Sequence, residues 1–293
     1  MYHINSTNLA AIDIGSNAAR ILIKSVKKTN NGLRSKKLQF LRIPLRLGMD
    51  VFGTGEIGEE REKMLLRTMK VFRQLLILYD VKDYRICATS AFREAKNGDK
   101  VLKHVMKETK LQISIISGDE EARTIRDNYT GDGNLLYMDV GGGSTELSLV
   151  CDGKLIGSKS FNIGTIRILN ECVEPSIWKE MAEAVRELTK GVENIRIVGS
   201  GGNINKLYRL APKKERTKDT LHIDTLSRIY TRLSALSLEQ RMMEYDLRAS
   251  RADVIVPAAQ LFLMVANLVN ADTILVPTVG LADGIINELA SKL

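Results

Sequence analysis

The chain has 293 residues, 44% apolar and 27% charged, enough to bury the core of one large or two medium domains. Its formal net charge of +8 favours polyanionic partners: nucleic acid, phosphate chains or acidic membranes. Aromatic residues make up only 5%, which argues against stacking platforms for single-stranded nucleic acid, and three scattered cysteines (Cys87, Cys151, Cys172) fit neither a disulfide framework nor a zinc site. That cysteine usage suggests a reducing cytoplasm. Asp13 interrupts the only early apolar run, so no signal peptide is expected. Residues 254–269, the most apolar stretch, contain Pro257, Gln260 and Asn267 and are too few to span a bilayer; they read as a buried helix.

In chain order, residues 9–14, 19–26 and 38–47 read as strands, with Asn31-Gly32 marking a type I′ hairpin turn. Residues 59–79 place Met64, Met69, Phe72, Leu75, Leu76 and Tyr79 at the spacing of an amphipathic helix. A short strand at 84–88 leads into Thr89-Ser90-Ala91-Phe92-Arg93, and Asn97 is placed to cap a helix to about Lys110. Residues 111–116 form another strand. Ser117-Gly-Asp-Glu120 then has the capping-box pattern of a helix running through Glu121 and Arg123 to about Asn128.

The order repeats in the second half. Residues 135–140, 146–150 and 154–161 are strands, Pro175 opens a helix to Lys190, and 195–198 is a strand ending in Gly199-Ser-Gly-Gly202. Helices are expected over 202–209, 225–234, 237–246 and 251–269, then a strand at 273–276 and a helix through Asp283 to the end. Strands first, then alternating strands and helices, twice over, argue for an α/β protein with two domains of related architecture. The expected domains are 1–128 and 129–293, divided in the polar stretch after Asn128, with the last helix free to pack back on the first domain.

The repeat is sharpest at two glycine loops. Ile12-Asp-Ile-Gly-Ser-Asn17 and Met138-Asp-Val-Gly-Gly-Gly143, followed by Ser144, Thr145 and Glu146, each join two strand-like runs. Glycine there lets backbone N–H groups approach an anion, so Gly15, Ser16 and Asn17 in one loop and Gly141, Gly142, Gly143 and Ser144 in the other are candidate phosphate ligands. Asp139 and Glu146 bracket the second loop and suit a hard cation such as Mg²⁺; Asp13 holds the equivalent place in the first. A turn cap is the competing explanation for each acid alone, and three in register weigh against it.

Glu120 is explained as the capping-box acid, whereas Glu121 has no local task and is the candidate general base. Arg93 follows a strand end, where a guanidinium suits bidentate phosphate binding; it is the second candidate catalytic residue, stabilising the transferring phosphoryl group. Arg20 either joins the same cleft or faces solvent. Gly201 and Gly202, at a strand-to-helix junction, are weaker anion ligands taken alone. Between Asp13 and Asp50 no acid occurs, yet Arg20, Lys24, Lys27, Lys28, Arg34, Lys36, Lys37, Arg42 and Arg46 do, a stretch suited to guiding an extended anion. Lysine on an edge strand against aggregation is the competing explanation. Lys206, Arg209, Lys213, Lys214, Arg216 and Lys218 form a second basic cluster.

Five segments, Asp13-Ile-Gly-Ser-Asn17, Ala88-Thr-Ser-Ala-Phe-Arg93, Ile116-Ser-Gly-Asp-Glu-Glu-Ala-Arg123, Asp139-Val-Gly-Gly-Gly-Ser-Thr-Glu146 and Arg251-Ala-Asp-Val-Ile-Val-Pro257, together resemble the exopolyphosphatase/guanosine pentaphosphate phosphohydrolase family of the actin/sugar-kinase/Hsp70-like superfamily. The resemblance implies two ribonuclease-H-like, actin-like ATPase domains flanking an interdomain cleft. It implies Mg²⁺-dependent removal of the terminal phosphate from polyphosphate or from guanosine pentaphosphate, with Mn²⁺ as a substitute. It maps the catalytic base to Glu121, the metal-associated acids to Asp139 and Glu146, and the phosphate path to Ser16, Asn17 and Arg93. The implied partners are those anions, with neither nucleic acid nor membrane, and the implied assembly is a homodimer.

Two departures bear on substrate choice. Asn203 stands where the family pattern has threonine, and Gly280-Leu-Ala-Asp-Gly284 replaces an arginine-glutamate-glycine pattern. The chain is also expected to lack the extra C-terminal helical domains of many relatives. A kinase of the same superfamily, a non-catalytic polyphosphate- or alarmone-binding module and a filament-forming actin relative are the alternatives. No segment fits a kinase's acceptor-activating aspartate, and the acids and Arg93 argue against a dead enzyme.

Overall fold

A computed structural model describes residues 6–30, 32–127, 131–215, 219–277 and 279–293. The turn residue Asn31, the expected domain break at Asn128, and Arg216 and Lys218 of the second basic cluster lie outside the described residues. The chain divides into two compact units, Met1–Ser117 with Leu281–Leu293 and Gly118–Gly280. The division falls one helix earlier than the break expected at residue 128.

The first unit comprises β1 (Thr7–Ile14), β2 (Ala19–Thr29), β3 (Gly32–Ile43), α1 (Leu47–Thr54), α2 (Glu59–Leu78), β4 (Asp83–Ala88), α3 (Ser90–Glu94), α4 (Gly98–Thr109) and β5 (Ser114–Ile115). Its sheet has the order β3-β2-β1-β4-β5, with the first three strands antiparallel and β1, β4 and β5 parallel. β1 is central and buried on both faces from Leu9 to Ile14, which explains its apolar run from Leu9 to Ile12. β3 is an edge strand, exposed from Gly32 to Lys37.

The second unit comprises α5 (Gly118–Arg126), β6 (Asn134–Val140), β7 (Thr145–Cys151), β8 (Lys154–Phe161), α6 (Thr165–Leu169), α7 (Pro175–Leu188), β9 (Arg196–Ser200), α8 (Gly201–Leu210), β10 (Thr220–His222), α9 (Ile223–Ser234), α10 (Leu238–Tyr245), α11 (Ala249–Ala252), α12 (Ile255–Leu268) and β11 (Thr273–Leu275). Its sheet runs β10-β11-β9-β6-β7-β8, so β6, β7, β8 and β9 repeat the order and directions of β1, β2, β3 and β4. Period-two alternation on β6 sends Leu136, Met138 and Val140 into the main core with Phe262 and Val265 of α12. Leu135 and Tyr137 take the opposite face with Val150 and Val198, and Asp139 follows them by the same alternation. The last helix, α13 (Leu281–Ala290), packs on β1, β2 and β4 of the first unit, where Lys24–Asp283 and Arg85–Glu288 ion pairs at 2.7 Å tie it down.

Several expected elements differ. The strand predicted to residue 47 stops at Ile43, since Pro44 has no N–H for a ladder, and Leu47 opens α1. The strand predicted over 111–116 pairs only at Ser114–Ile115. The helix predicted over 251–269 is two, and Pro257 sits in the first turn of α12, where its missing N–H costs nothing. Asn97 occupies the cap position of α4, but its side chain bridges both backbone groups of Ile57 at 2.9 Å instead. Helices α3 and α6 and strand β10 were not anticipated; all are of five residues or fewer and carry little periodicity. The apolar stretch Ala249–Leu268 is long enough to cross a membrane, but Ile255, Ala258, Leu261, Phe262 and Val265 are fully buried in the second unit's core.

Candidate active site

The two glycine loops share one hydrogen-bonded turn. Gly15 N–H donates to the Ala18 carbonyl and Gly141 N–H to the Ser144 carbonyl, both at 3.0 Å. None of Gly15, Gly141, Gly142 and Gly143 has positive φ, so what matters here is the missing Cβ rather than a left-handed backbone. A Cβ on Gly141 would lie 3.1 Å from the Ser144 carbonyl oxygen.

Each loop is backed by the helix that follows its third strand. In the second unit the carbonyls of Gly141 and Gly142 accept from Thr165 N–H (3.0 Å) and Ile166 N–H (2.8 Å), and that of Gly143 accepts from the buried Arg167 Nε (2.6 Å). Gly164 packs against the loop so closely that a Cβ would meet Gly142 backbone at 2.6 Å. The peptides are trans, so each N–H is antiparallel to the preceding carbonyl. The amides of Gly142, Gly143 and Ser144 therefore point away from α6, an arrangement able to receive an anion. In the first unit, Gly48 N–H and Arg46 N–H bind the Ser16 and Asn17 carbonyls at 2.8 and 2.9 Å, which turns the amides of Asn17 and Ala18 outward in the same way.

The carboxylates gather in the second unit. Asp139 and Glu146 are paired directly across β6 and β7 and so share a face. Helix α5 crosses β7 and β8, with Gly118 so near Ser160 that a Cβ would lie 2.8 Å from its hydroxyl. Glu121, one turn along, thereby joins the pair: ligand oxygens of Glu121, Asp139 and Glu146 lie within 4.8 Å of one another. Glu121 and Glu146 are buried and Asp139 half-buried. Hydroxyls orient them, with Ser144 Oγ and Ser160 Oγ donating to Glu146 Oε1 at 2.6 and 3.1 Å, and Ser200 Oγ to Asp139 Oδ1 at 2.6 Å. Three carboxylates this close repel strongly out of bulk water. An oxygen-only donor set of this charge fits a hard divalent cation.

Gly201 meets one of these acids, Asp139. Its φ of +90° and a Cβ position 2.6 Å from Asp139 Oδ1 require glycine there. Gly202 and Asn203 lie against Arg251, whose guanidinium donates to Asn203 Oδ1. The remaining predicted residues belong to the first unit. Asp13 pairs with Arg20 across β1 and β2 at 2.6 Å, which accounts for its charge within that unit and settles Arg20 toward Asp13. Ser16 Oγ and Ser90 Oγ are 2.7 Å apart, and Arg93, on the same short helix as Ser90, donates to the Ile116 carbonyl at 2.8 Å.

Sequence reasoning missed Ser160, Ser200, Gly164 and Arg167. The internal repeat could have found the last two, since they follow the third strand of their unit as Arg46 and Gly48 do. Arg251 lay within a recognised segment but carried no assigned role.

The family model of the Ppx/GppA phosphatase family matches residues 26–293. The chain belongs to that family. Among the Ppx/GppA relatives and proteins that share sequence with them, it is 37% identical to a bifunctional 3-dehydroquinate synthase/phosphatase of Fusobacterium nucleatum over 54% of this chain and 25% of the other. It is 26% identical to a guanosine-5'-triphosphate,3'-diphosphate pyrophosphatase of Aeromonas salmonicida, over 97% of this chain and 60% of the other. It is also 26% identical to exopolyphosphatase 1 of Mycobacterium tuberculosis, over 86% and 79%. The chain thus spans less than two thirds of the first two. The crystal structure of the Aquifex aeolicus Ppx/GppA family member matches with a TM-score of 0.76 at 25% identity, covering 98% of both chains. That of an exopolyphosphatase from Cytophaga hutchinsonii gives 0.82 at 23% identity over 98% and 99%, which shows the shared two-domain actin-like fold.

Proposed function

We propose that this chain is an exopolyphosphatase, removing the terminal phosphate of inorganic polyphosphate with Mg²⁺ held by Asp139 and Glu146. The observation that carries the reading is the Glu121, Asp139 and Glu146 cluster on the unit whose glycine loop turns three amides outward. Water attacks the terminal phosphorus, the bridging P–O bond breaks, and the shortened chain leaves as the anion. Glu121 accepts the proton of the attacking water. The amides of Gly142, Gly143 and Ser144 hold equatorial phosphoryl oxygens, where hydrogen bonds act on charge as it develops. Bound at the carboxylates, Mg²⁺, or Mn²⁺ in its place, supplies charge neutralisation for the transferring group. Ser160 and Ser200 keep the two acids oriented. We assign Ser16, Asn17 and Arg93 of the first unit to phosphate binding as well, and leave Asp13 with Arg20.

The test is phosphate release, with and without Mg²⁺, from short polyphosphate, long polyphosphate and guanosine pentaphosphate. Release from polyphosphate that requires Mg²⁺ supports the reading. Release from the pentaphosphate alone would replace it with a guanosine pentaphosphate phosphohydrolase, the activity named in the Aeromonas relative that matches nearly the whole chain. Silence on all three substrates, with binding retained, would leave a polyphosphate- or alarmone-binding module. Glu121→Gln should lower kcat by about 10²–10⁴-fold with little change in KM; equal turnover removes the base assignment. The free cysteines Cys87, Cys151 and Cys172 support a reducing, cytoplasmic setting. A homodimer is the assembly we propose, read by light scattering.

A further inference from the structure

All of the basic run between Asp13 and Asp50 except Arg46 lies in one hairpin, β2 and β3, at the open edge of the first sheet. Its cations face each other. Lys24 lies opposite Lys37, Lys27 opposite Arg34, and Arg20 opposite Arg42. Like charges directly opposite on paired strands are destabilising. Arg20 and Lys24 are offset by Asp13 and Asp283. Lys27, Lys28, Arg34, Lys36 and Lys37 form no ion pair with any described residue. All five are exposed or half-exposed.

Protection of an edge against aggregation explains lysine on β3. It does not explain Lys27 and Lys28 on β2, an interior strand of the sheet, nor the absence of any acid to interleave the charges. Side chains two apart on a strand share a face at about 6.6–6.8 Å spacing, and Lys27, Arg34 and Lys36 share one through the Lys27–Arg34 and Ser25–Lys36 pairing. The result is a linear cationic track whose internal repulsion is relieved only by an external anion. Phe40 is the one aromatic side chain exposed on this hairpin, so bases have little to stack on.

We propose that this hairpin is a docking surface for long-chain inorganic polyphosphate, holding a part of the chain distant from the phosphate being cleaved. The inference rests on the polyphosphate reading above and adds a chain-length preference to it. Single-stranded nucleic acid is the competing occupant.

The test is the triple variant Lys27→Ser, Arg34→Ser, Lys36→Ser. Binding of long polyphosphate is titrated across a salt series, and kcat/KM is measured for tripolyphosphate and for long polyphosphate. Losing three contacts should reduce the slope of log K against log salt by about two. The loss in kcat/KM on the long chain should exceed that on tripolyphosphate by roughly tenfold or more. Because opposed cations are removed, the variant's melting temperature should be equal to or above wild type, which separates the effect from misfolding. An unchanged salt slope and chain-length ratio overturns the proposal while phosphate release persists. Displacement of polyphosphate by single-stranded DNA at equal phosphate concentration also overturns it. If the wild-type protein releases phosphate from no chain length, the polyphosphatase reading fails instead, and the salt titration still reads the hairpin.

Discussion

Gly201→Ala separates backbone strain from site chemistry. At φ +90° an alanine is strained by about 1–3 kcal/mol, and its Cβ would lie 2.6 Å from Asp139 Oδ1, too close to be tolerated. Asp139 must swing away and lose its 2.6 Å bond from Ser200, a hydrogen bond to a charged acceptor worth about 1.5–3 kcal/mol. Reduced unfolded-state entropy returns about 0.4–1 kcal/mol. The sum is a destabilisation of roughly 1.5–5.5 kcal/mol confined to the second unit. Trp178, the sole tryptophan, packs on that unit's core, so its fluorescence in a urea titration reports the relevant transition alone. Calorimetric titration of Mg²⁺ should show weakened binding because a carboxylate of the cluster has moved. Gly202→Ala is the control, since its Cβ would meet only the tip of the Arg251 guanidinium, 2.9 Å away, which can shift; it should cost about 0–1 kcal/mol. A Gly201→Ala protein within about 0.5 kcal/mol of wild type and with unaltered Mg²⁺ affinity would refute the reasoning.

Arg167→Ala removes the 2.6 Å bond to the Gly143 carbonyl in a buried setting and should cost about 1–3 kcal/mol by the same fluorescence titration, with lowered kcat/KM. Arg167→Lys should not restore activity, because the fixed Nε geometry is lost. Saturating Mg²⁺ at about a hundred times its Kd should stabilise the second unit by about 2.7 kcal/mol, and Glu146→Gln should abolish the shift. Gly53→Ala, at an exposed position of α1 with nothing within 4 Å of the new Cβ, should raise the first unit's stability by about 0.5–1 kcal/mol in a thermal melt. Burial, and then the Asp152 charge, push the Cys151 thiol above its ordinary pKa. A raised pKa means less thiolate at pH 8, so mass spectrometry after iodoacetamide should find Cys151 alkylated more slowly than a free cysteine.

Both glycine loops, the acids beside them and the strands around them were legible because they obey local rules. A strand–turn–strand unit sets its own register, so Asp139 and Glu146 had to face each other once β6 and β7 paired. The long helices announced themselves by periodicity. What stayed hidden was short or distant. Helices α1 and α6 hold the carbonyls of the two loops, yet eight and five residues carry too little pattern to be read. Ser200 comes from a strand 61 residues along the chain from the Asp139 it orients, whereas Ser160 is the cross-strand partner of Glu146 in the β7–β8 hairpin and was open to a local reading.

The duplicated α/β order and the loops follow from the sequence, because hairpin geometry acts over a few residues. Tertiary packing alone decided that α5 belongs with the second unit and α13 with the first. It also decided that Arg20 neutralises Asp13, and that Glu121 comes within 4.8 Å of Asp139 and Glu146. That last contact depends on a bare glycine, Gly118, letting a helix settle onto Ser160, a close approach between segments that no spacing in the sequence encodes.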